Sequence, residues 1–123
     1  MPILLKRAYE SPEPADGLRI LVDRLWPRGV AKESARIDLW LKEVAPSTAL
    51  RQWFGHDPVK WGEFRLRYFR ELDQRPAAVE ELAQHTRRGV VTLVYGAKDK
   101  AHSHALALKD YLQKLEPSLE SSS

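Results

Sequence analysis

The 123-residue chain predicts an α/β fold, a small three-layer sandwich with a short, mostly parallel sheet and helices on both faces. Two observations carry most of this. The runs Arg19–Leu25 and Val90–Tyr95 are near-continuous aliphatic and β-branched segments, not apolar–polar alternations, as strands covered on both faces are. The residues between them read as helix, so the order is β, β, several α, β, α, with long helical crossovers feeding short strands.

Each element has its own signal. Ile3–Lys6 is a first short strand. The Pro-rich stretch from Tyr9 to Leu18, ending in Asp16-Gly17, leaves an antiparallel first pair open. The second strand centres on Ile20, Leu21 and Val22. Ile37, Trp40, Leu41 and Val44 fall at helical spacing and predict a helix that Pro46 ends. Ser47 is placed to cap a short helix holding Leu50, Trp53 and Phe54. Asp57-Pro58 is a start signal, an acceptor followed by a ring whose missing N–H costs nothing in the first turn. Beyond it Trp61, Phe64, Tyr68 and Leu72 form one apolar stripe. Pro76 opens a further helix with Val79, Leu82 and Ala83 inward, stopped by Gly89 behind Arg87 and Arg88. Ala101, Ala105, Leu108, Leu112 and Leu115 mark the last. The sheet has room for one more edge strand.

Residues 1–116 are expected as one domain and 117–123, Ser-rich, as a flexible tail. Apolar residues at 43% and charged ones at 30% exclude a wholly disordered chain. No apolar run approaches the ~18 residues of a membrane span, and no signal-peptide block opens the chain, so a cytoplasmic protein is expected. Cysteine is absent, which excludes disulfides, thiolate metal sites and thiol nucleophiles. The formal net charge of +3 permits anionic partners without requiring them.

In open α/β sheets ligands collect beyond the carboxyl ends of the strands. Two such ends are unusually polar. Asp23, Arg24, Trp26 and Arg28 follow the second strand; Gly96, Lys98, Asp99, His102 and His104 follow the third. If the two strands are parallel neighbours, Arg24, Arg28 and Lys98 converge with the N-terminus of the last helix into an anion site built from guanidinium forks, an ammonium and free backbone N–H groups. Asp23 and Asp99 would orient those cations or ligand hydroxyls, Trp26 would supply a wall, and His104 would carry a proton. His104, Asp23 and Asp99 are therefore the catalytic candidates. Plainer roles compete: Asp23 with Arg24 as an ion pair closing the strand, Trp26 as a core anchor, Asp99 as a helix cap, His56 as structural.

No metal or cofactor is expected. His102 and His104, two apart, cannot share one helical face, and no GxGxxG or Walker loop occurs. The alternative to a pocket is a nucleic-acid or protein-interaction module using Arg65, Arg67, Arg70, Arg87 and Arg88. The nearby Glu63, Glu71, Asp73, Glu80 and Glu81 favour a solvated mixed face instead.

The strings KRAYE, DGLRILVDRLWPRGVAK, LWLKEVAPSTALRQWFGH and TLVYGAKD followed by HALAL resemble the YeaO-like family of bacterial proteins within domain of unknown function 488. The likeness runs from about Lys6 to Leu115. It implies that the strand-end residues Asp23, Arg24, Trp26, Arg28, Lys98 and His104 belong to the family's shared set, and it adds Arg7, Arg51 and His56 as ligand-binding candidates. Position 103, where members often carry Asn, is Ser here, and position 96 is Gly in place of another small residue. The resulting expectation is a basic pocket for a small anionic ligand, phosphorylated or nucleotide-like.

Overall fold

A computed structural model describes residues 2–115, so the tail expected at 117–123 lies outside the described residues. Within the described residues four strands form one sheet: β1 (Ile3–Arg7), β2 (Leu18–Leu21), β3 (Leu39–Trp40) and β4 (Val91–Tyr95). Their order is β1-β4-β2-β3 and every pairing is parallel. β4 lies between β1 and β2, with Leu93 opposite both Leu5 and Ile20, and all five of its residues are buried. That position explains its unbroken apolar run, since a central parallel strand meets protein on both faces.

Among the described residues five α-helices accompany the sheet: α1 (Lys32–Ala35), α2 (Thr48–Phe54), α3 (Trp61–Asp73), α4 (Pro76–Arg88) and α5 (His104–Leu115). Alternation along the strands splits their side chains between two layers. Ile3, Ile20, Val22, Val91, Leu93 and Tyr95 share a core with Leu50, Phe54, Phe64, Tyr68, Leu82 and Leu108 of the four longer helices. Leu21 and Val94 face the other way, under Trp26, Val30, Ile37 and Trp40. The third layer is thus a loop plus the single-turn α1, whose Ala35 carbonyl accepts a 3.0 Å bond from Arg19 Nε.

The caps fall where the side-chain chemistry puts them. Ser47 Oγ accepts from Leu50 N, and Asp57 Oδ1 accepts from Val59 N at the start of a 3-10 turn that leads into α3. Three expectations need correction. The segment Ile37–Val44 is not a helix: it holds β3 and a 3-10 turn, Lys42–Val44. Lateral bonding overrides the spacing there, because Leu39 and Trp40 pair with Ile20 and Leu21 and the Trp40 indole donates to Asp23 O at 2.7 Å. The second strand ends at Leu21, not Leu25, although Val22 N still donates to Val94 O. The open possibility of an antiparallel first pair is also closed, since β1 and β2 flank β4 on opposite sides.

The crossover between β1 and β2 carries a buried charge cluster. Arg19 Nη1 lies 2.6 Å from Asp16 Oδ2, Lys6 Nζ lies 3.2 Å from Asp16 Oδ1, and Thr92 Oγ1 donates to Asp16 O. Burial pushes the Asp16 carboxyl up, but the Glu13 N–H, Lys6 and Arg19 outweigh it and hold it below its ordinary value. Gly17 follows with φ +65°, and a Cβ there would lie 2.2 Å from Val90 O, so only glycine fits this approach to β4.

From β2 the chain leaves toward α1; from β4 it leaves toward α5, in the opposite layer. Adjacent parallel strands whose exits part in this way open a crevice at their carboxyl ends.

Candidate functional site

At that crevice the two exits are tied together. Asp23 Oδ2 accepts a 2.9 Å bond from Gly96 N. A Cβ at residue 96 would sit 3.0 Å from the same oxygen and 3.4 Å from Pro27, so a small residue keeps the approach open. His104, in the first turn of α5, places Nε2 3.0 Å from Val22 O and 3.2 Å from Asp23 Oδ1. Both neighbours are acceptors, so Nε2 carries a proton and directs it at Val22 O. Asp23 Oδ1 is left buried beside the ring without a directed donor. Tyr68 stands edge-on to the imidazole at 6.3 Å and donates its hydroxyl to Val44 O; burial pushes its phenol up, which keeps it a neutral donor.

Two adjoining cavities, about 310 and 300 Å³, open beside this pair. Asp23, Arg24, Trp26 and Arg28 line the first. Leu25, Pro46, Arg51, His56, Ala97 and His104 line both. The far wall is held by the strap Val44–Ser47. Arg24 donates from Nε to Pro46 O (3.3 Å) and from Nη2 to Ala45 O (3.2 Å), while Arg75 Nη1 reaches Ala45 O at 2.6 Å. Ser47 N donates to Glu71 Oε1 at 2.8 Å. The strap aims α2, and α2 presents Arg51, an exposed side chain with no hydrogen bond among the described residues. His56 follows the αL cap Gly55 and is itself left-handed at φ +57°. A histidine held there stores of the order of 1–3 kcal/mol of backbone strain.

The other expected residues lie around this centre or outside it. Arg7 is a support: its Nε donates to Ala97 O at 2.8 Å, and its guanidinium lies over the Tyr9 ring. Trp26 lines the first cavity and also anchors the second layer, donating to Val30 O and standing edge-on to Trp40 at 5.5 Å. Arg28 is exposed at the cavity mouth, and its carbonyl accepts from the Tyr9 hydroxyl. Lys98 is exposed and lines neither cavity. Asp99 also lies outside both; it accepts from Ala101 N and from His102 at N and Nδ1, and the His102 bond holds its carboxyl below the ordinary value. The α5 cap is Ser103, whose Oγ accepts from Leu106 N.

Leu25, Pro46 and Ala97 are wall residues outside the expected ligand-binding set. Leu25 carries a signal, an apolar residue inside the polar run Asp23–Arg28, which fits the end of the predicted second strand equally well. The arginines of the alternative surface are largely paired: Arg65 with Asp110 (3.1 Å), Arg67 with Glu63 (3.0 Å) and Arg87 with Glu80 (2.9 Å). Among the described residues no cluster of three His, Asp or Glu side chains is placed to hold a metal, and no helix is long and apolar enough to cross a membrane.

Residues 2–122 match the family described as the inactive DUF488-N3 subclade. The chain belongs to that subclade. Within the wider DUF488 group it is 44% identical over 115 residues to the uncharacterized protein YeaO of Escherichia coli K12, a match covering 94% of this chain and all of YeaO. It is also 44% identical over 110 residues to the uncharacterized proteins Rv3073c of Mycobacterium tuberculosis H37Rv and Mb3100c of Mycobacterium bovis, covering 89% of this chain and 92% of each. The YeaO-like assignment carried by the DRLWPRG string therefore holds. No solved structure matches the chain.

Proposed function

We propose that this DUF488-N3 protein is a cytoplasmic binder of a small anionic ligand, phosphorylated or nucleotide-like, held at the β2/β4 crevice. One observation carries the reading. Arg24, Arg28 and Arg51, with the imidazoles His56 and His104, line one cavity in which the single carboxylate, Asp23, already serves Gly96 N. Three guanidinium groups lining one cavity give it a positive lining that favours an anion, and planar forks suit phosphate or carboxylate oxygens. The description of the subclade as inactive supports binding without turnover. His104 agrees with that role, because its Nε2 proton is committed to Val22 O and positions the α5 turn. The cysteine-free composition suits a reducing compartment.

A thermal-shift screen against anionic metabolites, nucleotides and short oligonucleotides, at low and moderate salt, tests this. A ligand at ~100 times its Kd adds about 2.7 kcal/mol of stability. The expected result is a salt-tolerant shift from a small anion that Arg51→Ala cuts to roughly half at the same ligand concentration. A shift from oligonucleotides alone, erased by moderate salt, would replace the pocket with a phosphate-backbone surface, whose affinity falls with a log–log slope of roughly −0.9 per contact on duplex DNA.

A further inference from the structure

The two cavities share a wall but differ in chemistry. Beyond the shared residues, the first is charged, with Asp23, Arg24 and Arg28. The second is continued by Thr48, Gln52, Phe54, Phe64, His102 and Ser103, with no further Arg or Lys. Its lining includes Phe54 and Phe64, two buried rings stacked on each other 4.4 Å apart at 23°. Inorganic phosphate would occupy only the charged cavity and leave the aromatic one in water. Leu25 marks the junction, 67% exposed and part of both walls. A singly exposed leucine is ordinary; this one stands between two cavities whose apolar lining it completes.

We infer that the ligand is a phosphomonoester carrying one flat apolar ring, its phosphate among Arg24, Arg28 and Arg51 and its ring in the Phe54–Phe64 cavity under Leu25. This rests on the anion-binding reading and names its ligand class. Size agrees. An apolar cavity of about 150 Å³ already takes benzene, so the second cavity, about 300 Å³, has room for a single ring system with its linking atoms. Arg51, common to both walls, is placed to meet the ester end of the phosphate as the ligand turns from one cavity into the other.

Amide-shift titrations by ¹⁵N–¹H NMR with inorganic phosphate, methyl phosphate and phenyl phosphate test the inference. The wild-type protein should bind phenyl phosphate about tenfold or more tighter than the other two, the scale expected for burying most of one ring face. Leu25→Ala, at a position exposed enough to leave the fold intact, should lower that preference several-fold. Equal binding of the three probes within about twofold overturns the ring assignment and leaves the anion site standing. A preference that Leu25→Ala leaves intact overturns it too, because the ring would then be held elsewhere. No binding by any probe overturns the anion reading itself, and the ring assignment with it.

Discussion

Asp23 Oδ2 accepts the Gly96 amide at 2.9 Å, joining two strand exits that leave the sheet toward opposite layers. Without this bond the crevice would lose the brace that sets its width. Its other oxygen lies 3.2 Å from His104 Nε2, so one side chain sits where the exits of β2 and β4 meet the first turn of α5. Asp23→Ala should lower stability by about 1.5–3 kcal/mol, the scale of a partly buried bond to a charged group. Urea unfolding will show this as a lower midpoint with an unchanged slope. Asp23→Asn keeps an acceptor for Gly96 N and should lose less than half as much.

Arg24 and Arg51 line one cavity but are held differently, and their variants should separate. Arg24 donates to two carbonyls of the Ala45–Pro46 strap, so Arg24→Ala should cost about 1–3 kcal/mol of stability as well as anion affinity. Arg51 has no such bond among the described residues. Arg51→Ala should leave the melting temperature within the range of a surface change, about 0.5 kcal/mol, and weaken phosphate binding roughly tenfold. Paired denaturation and titration of the two variants check the contrast.

His56 sits in the left-handed region at φ +57°. Glycine removes the Cβ conflict but adds freedom to the unfolded chain, so the net gain for His56→Gly should be about 1 kcal/mol. The variant should melt higher and bind the anion less well. A lower melting point would show that the imidazole stabilises the turn by more than the strain costs.

Acid should unfold the protein partly through Asp16. Its carboxyl is held below the ordinary 3.8, so the stability it contributes is complete above that value and is lost as pH falls through its lower folded-state value. Denaturant midpoints measured from pH 6 down to pH 2 should fall in that acid window. Asp16→Asn should start less stable at pH 6 and lose less on acidification.

The legible parts of the sequence were those with a local cause. β2 and β4 show themselves because central strands need apolar residues on both faces, and Ser47 and Asp57 because a cap is written within three residues of the N–H it serves. β3 was illegible: two residues are too few to display a period, and what makes them a strand is lateral pairing with Ile20 and Leu21. Within the site, Asp23, Arg24, Arg28 and His104 could be read from their places at strand exits. Arg51 and His56 come from α2 and its C-terminal turn; the sequence reads them as a second polar cluster, but nothing local points that cluster at β2, and the family resemblance is what makes them ligand-binding candidates. Lys98 and Asp99 stand in the expected loop, but its Asx turn folds the Asp99 carboxylate back onto His102 and away from Asp23.

Among the described residues β4 is the only partner of β1 and the inner partner of β2, yet it is the last of the four strands in chain order. During synthesis, therefore, β1 and the inner edge of β2 wait unpaired until residues 91–95 have been made. Sheet assembly becomes a late, long-range event whose rate is set by chain closure, and the growing polypeptide exposes two sticky edges throughout. A premature stop before Val91 would remove more than one strand: it would leave β1 with nothing to pair with, and a product prone to aggregate where the full chain folds.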